Sequence, residues 1–317
     1  MRKNKAFEIL RKWSLVIVIL VLCILFRVMQ PIFLSGENVI NIVRQAAILG
    51  VLAFGLSFVI ISGEMDLSFS MVASLSAISV LYLEILGVNT VLSWIIALVI
   101  GLLCGLVNAF IVVKLCLPSM LGTIGTQLLF GGIAAWIAKG ATVWTSKFST
   151  AFTIPGRGMF FGVIPFPIVI LAVVAVVSMI VLEKTVAGRY FYAVGGNADA
   201  ADHAGISAKK VKGQSFVIMG ALGALAGIIM ASQYASATPT VGSTFLFPAV
   251  IAVYLGSIFL KDGVPNAWGT LVGCIFISVL SNGFNLVGLK YWHEDTTKGI
   301  LMIVAISFTI LAKKKKK

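Results

Sequence analysis

Residues 91–114 read VLSWIIALVIGLLCGLVNAFIVVK, and Lys114 is the first charged residue after Glu84. A helix needs about 20 predominantly apolar residues to cross the hydrocarbon core of a bilayer. This stretch has that length, and it also contains Gly101 and Gly105. Such small residues are typical of helices that pack closely against other helices in a membrane. The stretch therefore predicts a membrane-spanning helix.

The rest of the chain has the same character. Of its 317 residues, 60% are apolar and only 11% are charged, whereas soluble domains carry about 25% charged residues. We therefore predict an all-α polytopic membrane protein with about ten transmembrane helices. The ten candidate segments lie at approximately 14–30, 39–62, 68–87, 91–114, 119–138, 163–183, 213–235, 244–260, 266–286 and 298–312.

Two of these segments share a short pattern. In the fourth segment, Gly-x-x-x-Gly begins at Gly101 and is followed by Asn108. In the ninth, the same pattern begins at Gly269 and is followed by Asn282. A duplicated transporter would show such a correspondence, so the chain could consist of two five-helix halves. The pattern is also common in unrelated membrane helices.

The distribution of positive charge predicts how the chain is oriented in the membrane, because cytoplasmic loops of membrane proteins carry an excess of Lys and Arg. The chain has 24 basic and 11 acidic residues. If ten helices cross from a cytoplasmic N-terminus, most basic residues fall inside and both termini are cytoplasmic. The predicted organisation is a cytoplasmic tail 1–13, one membrane domain 14–312 with a cytoplasmic connection 184–212, and a basic tail 313–317. The connection 139–162 then lies outside.

Several classes of function are excluded by what the sequence lacks. It has two histidines, His203 and His293, and neither occurs in a metal-ligand pattern, so we expect no metal site. No Gly-x-x-x-x-Gly-Lys-Ser/Thr loop is present to bind a nucleotide, and no catalytic motif suggests an enzyme. The four cysteines lie in apolar stretches, as buried small side chains do. No zinc pattern or aromatic-interleaved basic face predicts a nucleic-acid partner.

Neutral polar residues occur within the apolar segments and suggest a passage for an uncharged, hydroxyl-rich solute. Such a solute must replace its hydrogen bonds to water as it crosses. The alternative is that each of these residues connects one helix to another. The candidate pathway residues are Asn41, Arg44, Gln45, Asn108, Thr123, Thr126, Asn282 and Asn285.

The connection 184–212 contains a predicted short helix. Asn197 is a good N-cap, Asp199 lies in the first turn, and Gly205 can end the helix in a left-handed conformation. Ser207 can then cap the next helix. A helix of about seven residues is not stable alone in water, so we expect it to be held against another surface.

The same connection resembles the cytoplasmic signature of sugar-uptake ABC permeases of the ribose/xylose/arabinose type. Further matches occur in the order found in that family, and the resemblance covers residues 38–310. The matching motifs are Gly188-Arg189, Tyr192-Ala-Val-Gly-Gly-Asn197, Ala200-Ala201, Ala204-Gly-Ile206, Lys210-Val-Lys212, Asn41-Ile-Val-Arg-Gln45, Asp66-Leu-Ser68, Thr123-Ile-Gly-Thr126, Trp268-Gly-Thr270 and Asn282-Gly-Phe-Asn285.

The resemblance implies the permease subunit of an ATP-binding-cassette importer in the inner membrane of a bacterium. It implies three protein partners: a second permease chain, an ATPase subunit and an extracytoplasmic solute-binding protein. ATP and Mg would bind to the ATPase, and this chain would bind no cofactor. The short helix would transmit closure of the ATPase to the membrane helices, and its coupling residues would be Gly195, Gly196, Asn197, Ala200, Ala201 and Gly205.

The chain departs from the family at positions that bear on the solute. Glu64 replaces the usual glycine before the Asp66-Leu-Ser68 motif, and Pro248 replaces a customary acidic residue. We expect a monosaccharide or a similar small hydroxylated solute. An importer of the same type for a nucleoside, a branched-chain amino acid or a furanone-like signal is the alternative.

Overall fold

The computed structural model describes residues 5–145, 148–260 and 263–314 as a bundle of α-helices with four two-residue strands. The helices are α1 Lys5–Met29, α2 Gly36–Ile61, α3 Phe69–Ile85, α4 Thr90–Ala109, α5 Ser119–Ile137, α6 Thr150–Arg157, α7 Phe166–Lys184, α8 Val186–Gly196, α9 Ala198–His203, α10 Ala208–Tyr234, α11 Leu246–Leu260, α12 Ala267–Val287 and α13 Tyr291–Lys314. The strands are β1 Val143–Trp144, β2 Met159–Phe160, β3 Ile164–Pro165 and β4 Ser236–Ala237. Short 3-10 helices span Pro31–Leu34 and Val241–Phe245, and a π-helical turn at Phe110–Lys114 extends α4.

Each of the ten predicted segments coincides with one helix. Within the described residues, seven helices are long and apolar enough to cross a membrane. Two shorter apolar helices cover Trp13–Met29 and Phe69–Ile85, and α13 contains the last segment. The prediction of an all-α polytopic membrane protein is therefore confirmed, while ten crossings remain a prediction. The seven are Gly36–Ile61, Thr90–Lys114, Ser119–Ile137, Phe166–Lys184, Ala208–Tyr234, Val241–Ile258 and Ala267–Val287.

The centre of the bundle is formed by α2 and α10. Every residue from Ala46 to Ile61 in α2 is buried, which fits a helix that is apolar on all sides. α10 packs against α2, α3 and α4, and α12 packs against α2 and α11. The ends of α2 therefore reach both ends of the bundle through its core.

Glycines determine how closely neighbouring helices approach. Gly101 and Gly105 of α4 face the backbone of α10 at Gly220 and Phe216. On α12, Gly273 likewise contacts the backbone of α11. A Cβ at any of these three glycines would collide with the opposite main chain. The close helix packing predicted for Gly101 and Gly105 is therefore confirmed, and Gly273 packs in the same way.

The two ends of the bundle differ in their connections. We call the end that carries residues 184–212 the basic end; it includes α8, α9 and the start of α10. The opposite end carries α6, the antiparallel β2–β3 hairpin, and β1 paired with β4. Gly156 of α6 donates its N–H to Ser232 near the end of α10, which holds this part of the loop against the bundle.

Candidate transport site and coupling segment

A buried polar cluster lies at the turn between α2 and α3, near the basic end. Asp66 is 1% exposed, and its Oδ1 accepts hydrogen bonds from the Ser68 N–H at 2.8 Å and the Ser68 hydroxyl at 2.7 Å. Asn108 of α4 donates from Nδ2 to Ser68 Oγ at 2.7 Å and to Asp66 Oδ2 at 3.3 Å. We call these residues, with Thr123 and Thr126, the Asp66 cluster.

Two threonines of α5 complete the Asp66 cluster. Thr126 donates to Asn108 Oδ1 at 2.6 Å. Thr123 accepts from the Leu67 N–H at 3.1 Å and donates to the Ser119 carbonyl at 2.8 Å. The predicted pathway residues Asn108, Thr123 and Thr126 thus join the α2–α3 turn, α4 and α5. In this structure they connect helices, which is the alternative that the sequence left open.

The Asp66 cluster predicts a pH dependence of stability. Burial raises the pKa of Asp66 from 3.8 to about 6, and hydrogen bonds from Ser68 and Asn108 offset part of that shift. The folded chain therefore binds this proton more tightly than the unfolded chain, so the group stabilises the fold below pH 3.8 and loses this contribution as the pH rises to about 6. In Asp66→Asn, that part of the pH slope of the unfolding free energy should disappear, as measured by chemical unfolding in detergent. Asp295→Asn, at an exposed carboxylate of α13, should keep it, and equal slopes in both variants would contradict the assignment.

A second buried contact joins α2 to α12. Asn38 Nδ2 donates to Asn282 Oδ1 at 2.9 Å, and Asn282 Nδ2 donates back to Asn38 Oδ1 at 3.0 Å. Asn38 also donates to the Phe33 carbonyl at 2.7 Å. Asn282, another predicted pathway residue, therefore forms its side-chain hydrogen bonds with another helix of the same chain. Asn38 was not singled out from the sequence, although it lies one turn before Asn41 on the same helix.

A cavity of about 480 Å³ opens at the opposite end of the bundle. Of the predicted pathway residues, Gln45 and Asn285 line it. Its walls come from α2, the end of α10, the segment 238–245, α11, α12 and α13, and most polar groups on them are hydroxyls. The lining residues are Gln45, Leu49, Tyr234, Thr238, Thr240, Val241, Ser243, Thr244, Phe245, Pro248, Ile277, Ser278, Ser281, Asn285, Glu294 and Lys298.

The charges in this cavity compensate each other. Glu294 and Lys298 of α13 form an ion pair at 2.5 Å, with side chains 15% and 16% exposed.

Two other predicted pathway residues lie outside the cavity. Arg44 is half-buried, and its Nε is buried without a hydrogen-bond partner among the described residues. Asn41 is exposed, and neither Arg44 nor Asn41 lines the cavity. The predicted pathway residues therefore do not form one continuous surface within a single chain.

The short helix α9 has the predicted caps. The Asn197 side chain accepts from the Ala200 N–H at 3.0 Å, and Gly205 follows the helix with a φ of 81°. Ser207 caps α10 by accepting from the Lys210 N–H at 3.4 Å. Local hydrogen bonds thus define this segment, as its sequence indicated. Gly195 and Gly196, however, belong to the end of α8 rather than to α9.

The segment formed by α8 and α9 is attached, through α8, to the central helix α2 of the bundle. Gly195 lies directly on the backbone of α2, where a Cβ would collide with the Ile61 carbonyl oxygen. Phe191 of α8 packs edge-on against Phe58 of α2, with ring centroids 5.4 Å apart. The Tyr192 hydroxyl donates to the Pro265 carbonyl at 3.2 Å, before α12. These contacts connect the segment directly to α2 and to the residues before α12.

The predicted coupling residues include both buried and exposed members. Ala201 is 5% exposed and packs in the core of this chain, so its side chain is held by contacts within the chain. Gly196, Asn197, Ala200 and Gly205 are exposed. The exposed members present a surface of small side chains at the basic end.

An ion pair that sequence reasoning missed lies beside this segment. Lys212 in α10 contacts Glu64 in the α2–α3 turn at 2.6 Å, with side chains 27% and 13% exposed. Glu64 is the residue that replaces the family's usual glycine. The departure at Glu64 thus creates a contact between the start of α10 and the turn that holds the Asp66 cluster.

Residues 38–306 match the protein family described as branched-chain amino acid transport system / permease component. The chain belongs to this family of permeases. The ribose import permease RbsC of Bacillus subtilis is 34% identical over 90% of the chain and 88% of its own length. The xylose transport permease XylH of Haemophilus influenzae is 28% identical over 89% and 91%. The autoinducer 2 import permease LsrD of Salmonella paratyphi A is 30% identical over 89% and 86%.

These similarities and the apolar helices identify the permease as a multi-pass transport subunit of the bacterial inner membrane. Its cavity contains hydroxyls that the sequence analysis did not select. Residues 236–244 read SATPTVGST between two apolar segments, and four of its residues, Thr238, Thr240, Ser243 and Thr244, line the cavity. The density of hydroxyls in this short connection was the signal that could have found them.

Proposed function

We propose that this permease forms the translocation pathway of an ATP-binding-cassette importer for a monosaccharide or a similar hydroxylated solute. The observation that carries the proposal is the cavity lined by hydroxyl and amide groups at the end opposite the coupling segment. Such groups can both donate and accept hydrogen bonds, as the hydroxyls of a sugar require. A second permease chain completes the pathway.

The basic end faces the cytoplasm in this proposal, and both termini lie on the same side. The excess of basic residues at this end supports that orientation. A separate ATPase subunit binds and hydrolyses ATP, and it contacts the exposed surface at Gly196, Asn197, Ala200 and Gly205. The cavity then opens to the outside, where a solute-binding protein delivers the solute.

The names of the relatives favour a sugar as the transported solute. Two of the permeases described above are a ribose and a xylose permease, and the third imports autoinducer 2. A branched-chain amino acid is the second candidate, because the family description names it. The Glu294–Lys298 pair could meet both charges of a zwitterion. The pair is already satisfied internally, so a neutral solute fits the cavity without breaking it.

Reconstitution tests this function. The permease is placed in proteoliposomes with its ATPase and solute-binding protein, and ATP-dependent uptake of labelled ribose, xylose, leucine and adenosine is measured. We expect uptake of one pentose or a related sugar, and none without the ATPase. Uptake of leucine alone would select the amino-acid alternative, and uptake without the ATPase would contradict an ABC permease.

The cavity itself predicts the effect of removing its two amides. In Gln45→Leu/Asn285→Leu, two hydrogen-bonding side chains are lost, each contributing about 0.5–1.5 kcal/mol. We therefore expect the rate of solute uptake at low concentration to fall roughly tenfold. Gln127→Leu on α5, an amide that does not line the cavity, serves as the control. Equal uptake by both variants would show that the cavity is not part of the translocation pathway.

A further inference from the structure

A short polar segment between α10 and α11 forms one side of the cavity. Thr238, Thr240, Ser243 and Thr244 all line the cavity, and we call these four residues the hydroxyl wall. The segment that carries them consists of a turn followed by the 3-10 helix Val241–Phe245. Connecting segments are more mobile than the helices that they join. The position of the hydroxyl wall therefore depends on the contacts that hold its backbone.

Helix α3 holds the hydroxyl wall on the side away from the cavity. The Gly242 N–H donates to Ser74 Oγ at 2.9 Å. Ser74 is fully buried, and its own hydroxyl donates within α3 to the Ser70 carbonyl at 3.2 Å. The proton of this serine is therefore used along its helix, and a lone pair is used across to the cavity segment.

Gly242 allows the segment to approach α3 this closely. The residue is buried, and a Cβ at this position would collide with the Ser70 carbonyl oxygen. The preceding residue, Val241, packs its side chain into the hydrophobic core. A serine that accepts a hydrogen bond and a glycine without a side chain thus fix the distance between α3 and the hydroxyl wall.

Two hydroxyls of the wall are oriented by the same segment. Ser243 Oγ donates to the Thr240 carbonyl at 2.7 Å, and Thr244 Oγ1 donates to the Val241 carbonyl at 3.1 Å. Because each proton is used within the segment, these two oxygens present lone pairs to the cavity. They can accept hydrogen bonds from the hydroxyls of a solute, and the position of the backbone decides how well they are aligned.

From these contacts we propose that Ser74 and Gly242 are positioning residues, which fix the hydroxyl wall in the cavity and thereby determine the preference for a hydroxylated solute. This inference rests on the proposed function, because it assigns the cavity to the solute. Within the part of the chain that the structure describes, neither residue lines the cavity, so each acts through the wall. Without the Ser74 hydroxyl, the buried Gly242 N–H loses its partner, which is unfavourable. The segment should then shift towards water in the cavity.

Two buried serines of α3 provide a matched pair of variants. Ser74→Ala removes the hydrogen bond to Gly242. Ser79→Ala is the control, because Ser79 is also buried and its Oγ donates to the Leu75 carbonyl at 2.7 Å, four residues earlier. Among the described residues, Ser79 makes no hydrogen bond to the cavity segment. The two variants therefore differ in the contact that is being tested.

The first measurement follows the position of the hydroxyl wall. Thr240→Cys is introduced into a full-length chain that also carries Cys23→Ala and Cys116→Ser, and the rate of its reaction with a water-soluble maleimide is measured in lipid nanodiscs. We expect Ser74→Ala to change this rate several-fold and Ser79→Ala to leave it unchanged. This measurement requires no transport, so it is independent of the proposed function.

The second measurement follows solute preference. Each variant is reconstituted with the same ATPase and solute-binding protein, and the ratio of ribose uptake to deoxyribose uptake is determined. This ratio does not depend on the amount of folded transporter, and the preference of the binding protein cancels between variants. We expect the ratio to fall roughly fivefold in Ser74→Ala, because one net hydrogen bond to a solute hydroxyl is worth about 1 kcal/mol.

Equal maleimide rates and equal uptake ratios in Ser74→Ala and Ser79→Ala would overturn the positioning role. A loss of folded protein with both measurements unchanged would also overturn it, since Ser74 would then only stabilise the fold. If Ser74→Ala does not fold, Gly242→Ala displaces the segment at the same contact and replaces it in both measurements. A changed maleimide rate in a permease that takes up neither sugar would support the positioning of the wall and count against the proposed function.

Discussion

Replacement of Gly195 by valine should strongly reduce solute uptake while the permease still inserts into the membrane. Gly195 lies on the backbone of α2, and a Cβ at this position would collide with the Ile61 carbonyl oxygen. Because backbone cannot move aside as a flexible side chain can, α8 and the attached α9 must shift. The contact through which we propose that ATPase closure reaches α2 would then be lost.

A second glycine at the basic end provides a control. At Gly213, near the start of α10, an added Cβ would meet only the Ala109 Cβ at 3.9 Å, an ordinary contact, so Gly213→Ala should preserve uptake. Both variants are compared by membrane abundance, co-purification of the ATPase, and ATP-dependent uptake in proteoliposomes. We expect Gly195→Val to reduce uptake by roughly 5- to 150-fold, the range that corresponds to a typical overpacking cost of about 1–3 kcal/mol. Normal uptake by Gly195→Val would show that the contact with α2 does not transmit the movement.

Replacement of Asn108 by leucine should give the largest loss of stability among single changes at the predicted pathway residues. Asn108 donates to both Asp66 and Ser68 and accepts from Thr126. Leucine leaves the buried carboxylate and the Thr126 hydroxyl without this partner. Breaking a buried hydrogen bond to a charged group costs roughly 2–5 kcal/mol. The loss is measured by denaturant unfolding in detergent.

Two comparisons separate this effect from a general loss of polarity. Asn41→Leu replaces an exposed amide of α2 and should change the unfolding free energy by less than about 1 kcal/mol. Thr126→Val removes one donor of the same cluster, so its effect should not add to that of Asn108→Leu. Strict additivity, or a similar small effect for Asn108→Leu and Asn41→Leu, would contradict the network.

The membrane helices could be predicted from hydropathy, because a bilayer requires a long apolar stretch whose backbone is satisfied locally. The stretch 91–114 could be predicted to form a membrane helix without any knowledge of the helices around it. The caps of α9 could also be predicted, since Asn197 and Gly205 act within a few residues along the chain. The glycine patterns similarly indicated close helix contacts, although not which helix each would meet.

The role of each polar residue depended on the tertiary structure. Asn282 and Asn285 lie one turn apart on α12, yet Asn282 bonds to Asn38 of α2 while Asn285 lines the cavity. Gly195 and Gly196 are adjacent, yet only Gly195 meets another backbone closely. A neutral amide suits a helix contact or a solute passage equally well, because both need the same hydrogen bonds. Hydropathy and local hydrogen bonding therefore determined the spans and caps from the sequence alone, whereas the packing of distant helices decided which side chains were left open to a solute.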